Sequence, residues 1–209
     1  MPAANDKWDY PEKMWNERFS QPELVYGDAP NAFLEEQASR LQPGVKVFVP
    51  ADGYGRNGIW LAKRGLRVHT VDLSPVGVER AREAAADAGV NMTIEAADLS
   101  TWNWPSEEFD AVVSIFFHMP SAVRANIHPA MLRAVKPGGI VILKAFTPTQ
   151  LSYTSGGPRD VDLLYSAAIL RKDFDGAEIL QLEEKEVQLT EGRLHSGPAA
   201  VVLAVFRRT

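Results

Sequence analysis

The sequence has no cysteine, which excludes disulfides, thiolate nucleophiles and cysteine-based zinc sites. It has only four histidines, His69, His118, His128 and His195, and no two of them stand at the spacing of metal ligands on a helix, so no metal is expected. No apolar run approaches the roughly 20 residues of a membrane-spanning helix. The opening "MPAANDKWDYPEK" lacks the basic-then-apolar order of a secretory signal, so a cytoplasmic protein with no membrane partner is expected. A long basic run is missing too. With a net charge of −5, a broad footprint on a phosphate backbone is not expected, and a small-molecule or protein substrate fits better than a nucleic acid. Nothing in the sequence addresses the oligomeric state.

The 45% hydrophobic and 23% charged residues suit one globular domain with a sizeable core. Residues 1–43 read as a helical N-terminal extension and 44–209 as the domain. "PEKMWNERFS" and "PNAFLEEQASRL" have helical patterning. Then come β-branched or apolar runs at 44–50, 66–74, 90–100, 109–119 and 140–146, separated by helical segments at 55–65, 75–89 and 120–139, the last ending in Lys136-Pro137-Gly138-Gly139. Ser74 with Pro75 opens the second of these helices as cap and first-turn residue. "VDLLYSAAILRKDF" predicts another helix. "AEILQLEEKEVQL" and "PAAVVLAVFRR", joined by "TEGRLHSG", predict an antiparallel hairpin. Strands alternating with helices give a doubly wound, mostly parallel α/β sheet of seven strands with a reversed strand near its C-terminal end.

In such a sheet the ligand lies beyond the carboxyl ends of the strands. The first strand ends in "VFVPADGYGRNG", where Gly53, Gly55 and Gly58 have G-x-G-x-x-G spacing. Glycines allow a tight turn and close backbone approach, and the following helix presents free N–H groups. The spacing alone leaves a dinucleotide and S-adenosylmethionine (SAM) both open. Asp72, 19 residues after Gly53, ends the second strand where a carboxylate accepts from ribose hydroxyls. Asp98 ends the third, placed to accept from an adenine amino group, with Leu99 offering its N–H and apolar surface.

Together the glycine loop with "GRN", the acid of "VDLS", the "ADL" turn, "FDAVVS" and "VKPGGIVIL" resemble the class I SAM-dependent methyltransferases. The resemblance covers about residues 45–207. It implies a Rossmann-like fold, SAM as cofactor, and a cofactor-binding set of Ala51, Asp52, Gly53, Gly55, Asn57, Asp72, Leu73, Asp98, Leu99, Ser114 and Ile115. Gly58 then becomes a helix-packing residue. The N-terminal "W…RF…VYG…PNAFL" resembles the lead-in of the tellurite-resistance and thiopurine-type methyltransferases. This implies a small-molecule acceptor (a thiol, metalloid oxyanion or small metabolite) and an N-terminal helical lid carrying Trp15, Phe19 and Tyr26.

The loop departs from the family pattern, because Val49 stands where an acid is usual and Ala51 where the first glycine is usual. Asp52 is the candidate replacement for the missing carboxylate near the SAM ammonium. His118, at the end of "SIFFHM", is the candidate catalytic residue, an imidazole placed to accept the acceptor's proton. Tyr153 is the candidate pocket residue in the loop after the fifth strand. Trp102 and Trp104 are expected to pack under the adenine turn. An NAD-linked oxidoreductase and a non-catalytic SAM-binding regulator are the alternative functions.

Overall fold

A computed structural model describes residues 11–209. Seven strands form one sheet in the order β3-β2-β1-β4-β5-β7-β6. They are β1 Lys46–Pro50, β2 Arg67–Asp72, β3 Met92–Ala96, β4 Phe109–Ile115, β5 Val135–Phe146, β6 Glu178–Thr190 and β7 Ser196–Arg207. Strands β1 to β5 are parallel, and β7 inserts antiparallel between β5 and β6. The helices are α1 Pro11–Phe19, α2 Ala32–Gln37, α3 Arg56–Lys63, α4 Pro75–Asp87, α5 Ser121–Ala134 and α6 Ala167–Asp173. The expected class, strand number and reversed hairpin strand are all present. Among the described residues no helix is long and apolar enough to cross a membrane.

Two apolar layers cover the sheet. One face buries Val47, Val49, Val113, Ile142 and Phe146 beside Phe33, Leu34 and Leu61 of α2 and α3. The other buries Phe48, Val112, Val141 and Leu143 beside Met131 of α5 and Leu170 of α6. Alternation along each strand assigns these side chains to opposite faces. Trp102 stacks on Phe48 at 5.0 Å and Trp104 donates to the Leu99 carbonyl at 3.0 Å, which makes both tryptophans supports of the turn after β3, as expected.

Several boundaries differ from the sequence reading, each for a local reason. Strand β4 stops at Ile115 rather than 119 because Phe116 turns into the left-handed region at φ 53°. The helix expected over 161–174 is broken. Tyr165 N–H bonds to the Phe146 carbonyl and Ser166 caps a new start, so only 167–173 is α-helical. Strand β5 begins at Val135, ahead of the "KPGG" turn, because Val135 already pairs with Phe109.

Candidate active site

The C-terminal ends of β1 and β2 are tied together by one carboxylate. Asp72 Oδ2 accepts from Gly53 N at 2.7 Å and Oδ1 accepts from Ser74 N at 2.8 Å, joining the glycine loop to the start of α4. Burial pushes Asp72 up to about 6, against the pull of the Ser74 and Gly53 N–H groups. Each oxygen keeps a further lone pair, so two hydroxyl donors would complete the solvation that burial removed. That incompletely compensated carboxylate fits the ribose of SAM. Leu73 and Ala51 are partly exposed at the same rim, Asp98 is exposed and Leu99 buried beneath it, while Ser114 and Ile115 are buried at the end of β4. Asp98 uses one oxygen to accept from Ser100 N at 2.8 Å.

The glycine loop departs from the expectation at Asp52. Its carboxylate was expected at the SAM ammonium, but Oδ1 accepts from Asn57 N at 3.3 Å and Oδ2 from Gly58 N at 2.8 Å. Asp52 is therefore directed into the positive N-terminal end of α3 and does not replace the missing acid. Burial pushes it up to about 7 despite those bonds. Val49 is buried in the apolar layer, so the place of the usual acid is filled by hydrocarbon. Ala51 holds φ 55°, the conformation for which glycine is suited. Gly58 packs as expected, since an added Cβ would lie 2.6 Å from both Asp52 Oδ2 and Met92 Cε. Asn57 also has a structural task, because its Oδ1 accepts from Asn31 N at 2.9 Å at the start of α2.

Helix α1 lies across this loop. An added Cβ would meet Phe19 at 2.6 Å from Gly53 and at 2.7 Å from Gly77, so the two bare backbones form the seat for that ring. Trp15 stacks on Phe19 at 5.4 Å, and Phe19 meets Tyr54 edge-on at 5.6 Å. Arg80 of α4 donates to the Phe19 and Gln21 carbonyls at 2.6 and 2.7 Å, which satisfies the C-terminal end of α1. Ser74 Oγ, which also accepts from Gly77 N, donates to Asn16 Oδ1 at 2.5 Å.

His118 does not face an acceptor. Its Nδ1 lies 2.6 Å from the Leu163 carbonyl and its Nε2 accepts from Phe146 N at 3.3 Å, so both ring nitrogens are engaged by backbone. Burial lowers it to about 4. These contacts make His118 an anchor of the loop after β5 and lend no support to the catalytic expectation for it. Tyr153 is likewise elsewhere, at the surface beside Glu186 of β6, whose hydrogen bond raises the phenol.

A second imidazole, that of His195, lies at the tip of the β6–β7 hairpin and meets the same Phe146 ring. Its ring is 4.6 Å from Tyr26, 4.7 Å from Phe116 and 5.5 Å from Phe146. It is 7% exposed, and Nδ1 has no hydrogen-bond partner among the described residues. Burial lowers its pKa against the pull of Glu191, whose Oε2 is 3.8 Å from Nδ1. Glu191 itself accepts from Arg56 at 2.6 Å and from Asn31 Nδ2 at 2.6 Å, with Lys144 Nζ at 3.6 Å. Burial pushes Glu191 upward, but His195, Arg56 and Lys144 together hold it down at about 2. Two signals in the sequence mark this cluster: a lone lysine in the apolar run "IVILKAF", and an acid and a histidine four apart in "TEGRLHSG".

Residues 50–139, from the end of β1 through the turn after α5, match a family described as "Methyltransferase domain". Over that stretch the chain is similar to a methyltransferase domain. It is similar to the thiopurine S-methyltransferase of Nitrosospira multiformis, 39% identical over 71 residues, 32% of each chain. Beyond the matched segment, the methyltransferase fold extends over nearly all of the chain. A protein solved in work on the conversion of a disulfide bond into a thioacetal group during echinomycin biosynthesis superposes with a TM-score of 0.76. It is 21% identical and covers 94% of this chain and 91% of its own. TehB from Haemophilus influenzae gives 0.71 at 17% identity, over 95% of this chain and 67% of its own. The chain spans about two fifths of the length of the first curated relatives it matches.

Proposed function

We propose that this protein transfers the methyl group of SAM to a small-molecule acceptor. The observation that carries the reading is Asp72, a buried carboxylate at the end of β2 with acceptor capacity left over, standing inside the matched methyltransferase segment. Asp72 would hold the ribose, Leu73, Asp98 and Leu99 the adenine, and the backbone of Ala51, Gly53 and Gly55 the methionine end. When bound, SAM supplies an electrophilic methyl on a sulfonium sulfur. Trp15 and Phe19 present aromatic faces over the glycine loop, suited to cover a cation and exclude water.

His195 takes the acceptor-side role. Burial keeps its imidazole neutral and therefore able to receive a proton at neutral pH, and Glu191 3.8 Å away favours the imidazolium once the proton arrives. The rings of Tyr26, Phe116 and Phe146 pack against it. The similarity to a thiopurine S-methyltransferase supports a sulfur or similarly soft acceptor atom.

Calorimetric titration with S-adenosylhomocysteine (SAH) tests the cofactor half: binding should weaken at least tenfold in Asp72→Ala. A panel of thiols and phenols with SAM, read by SAH release, tests the rest. His195→Ala should lose turnover while keeping SAH affinity, and His118→Gln should keep its turnover. Failure of the wild-type protein to bind SAH defeats the proposal.

A further inference from the structure

Resting on the reading of Asp72 as the ribose ligand, the packing above that carboxylate says how the cofactor reaches it. The two backbone donors that hold Asp72 are Gly53 N and Ser74 N, and helix α1 sits on both residues. The Phe19 ring covers Gly53, and Asn16 Oδ1 accepts from Ser74 Oγ at 2.5 Å. Ser74 is 0% exposed and Asp72 7%. Helix α1 thus roofs the carboxylate and its partners, and ribose hydroxyls gain access to Asp72 when the helix lifts.

Little holds that roof down. Among residues 12–19 Phe19 alone is buried, and nine residues are too few for a helix to persist in water by itself. Its C-terminal end is tied to the body by Arg80 of α4, whose Nη1 donates to the Phe19 and Gln21 carbonyls at 2.6 and 2.7 Å. The segment that follows is held far more firmly, by the glycine loop, α3 and the β6–β7 tip. There the Val25 carbonyl accepts from Leu194 N, Tyr26 N donates to Tyr54 Oη, the Tyr26 carbonyl accepts from Arg56, and Asn31 N donates to Asn57 Oδ1. Gln21, Pro22 and Glu23, between the two parts, are exposed, with a surface ion pair from Glu23 to Arg193. Arg18 reaches across this joint to Tyr26 Oη at 2.7 Å through a long side chain that can turn with it. A lightly held helix, a fixed strap and an exposed joint between them make a hinge.

We propose that α1 is the door of the cofactor site, turning on residues 22–24, and that Arg80 is its latch. Arg80 is a positioning residue, which acts on the cofactor through α1. While its two carbonyl bonds are made, Phe19 stays seated on Gly53 and Gly77, and the cofactor neither enters nor leaves. When they break, water satisfies the last carbonyls of α1 and the ring lifts from its seat. The latch closes over the empty and the filled site alike, so it sets the rate of exchange and leaves the affinity unchanged.

Hydrogen–deuterium exchange and surface plasmon resonance on the full chain test this, with SAH as the ligand. In Arg80→Met the amides of residues 12–21 should exchange at least tenfold faster than in wild type, with those of 25–31 within twofold. Association and dissociation of SAH should both rise at least fivefold, leaving the dissociation constant within threefold. Arg80→Lys, which keeps a donor for the same carbonyls, should lie between the two proteins. Amide protection in β1 and β4 shows that a variant is folded, and Arg80→Lys carries the test if Arg80→Met loses it. Unchanged exchange in α1, or faster exchange there with unchanged SAH rates, overturns the proposal. So does a dissociation rate that rises alone while affinity falls in step, because Arg80 would then support the bound cofactor directly. Exchange in α1 is read without ligand, so a failed latch is told apart from failure of wild type to bind SAH, which strikes the cofactor reading and the door with it.

Discussion

At the scale of single residues, Asp52 shows how the glycine loop is held to the start of α3. Its two oxygens accept from the second and third N–H groups of α3, so the acid acts as a cap set inside the fold. Asp52→Asn should therefore leave SAH affinity within twofold while lowering stability by about 1 kcal/mol, the usual worth of a cap. The loss should depend on pH. Asp52 is raised to about 7 in the folded protein, so folding favours its protonated form. The stability this contributes is complete below the unfolded value of 3.8 and disappears as the pH rises through 7. Thermal melts at pH 5 and pH 8 should show the gap between wild type and Asp52→Asn shrinking at the higher pH. The sequence showed an acid near the ligand loop, but not its direction. That is set by the left-handed turn at Ala51 and Gly53, and residue spacing does not carry it.

Among elements, the decisive contact is between the first and last parts of the described chain. The β6–β7 tip holds the segment before α2: Leu194 N–H bonds to the Val25 carbonyl at 2.9 Å, and Glu191 bonds to Asn31 and Arg56. Arg56 in turn donates to the Tyr26 carbonyl at 3.0 Å, and Tyr54 Oη bridges Tyr26 N and the Gly27 carbonyl. Glu191→Ala would strand two buried cations, and urea unfolding should register a loss of about 3 kcal/mol, the scale for breaking a buried pair from one side. The same variant should speed proteolysis within residues 20–31, because its anchor is gone. Nearly every element was legible in the sequence, since caps, periodicity and turn residues are local. His195, Glu191 and Lys144 come from two distant segments and meet only through the sheet order. Their pairing was hidden, although each is unusual in its own surroundings.

For the whole molecule, the buried titratable groups oppose one another. His69, His118, His128 and His195 all have lowered pKa values, His118 at about 4, so folding favours their neutral forms. Between about pH 4 and 6.5 the unfolded chain binds the more protons at His118, and this contribution to stability rises with pH. Asp52 and Asp72, raised to about 7 and 6, contribute the reverse slope. The slope from His118 opposes that of the two aspartates in that window, and above it only the Asp52 slope remains. In denaturant midpoints measured across pH 4.5 to 8, His118→Gln should therefore remove the part that rises with pH between 4.5 and 6.5.

The antiparallel insertion of β7 has a consequence for how the molecule is made. Residues 196–207 occupy the place between β5 and β6, so neither the outer sheet nor the tip that holds Val25 and Asn31 is complete until that stretch has left the ribosome. The parallel strands and the glycine loop come earlier in synthesis, whereas pairings between distant parts of a chain form late and slowly. During translation the parallel strands would thus form before the β6–β7 tip can hold the segment ahead of α2.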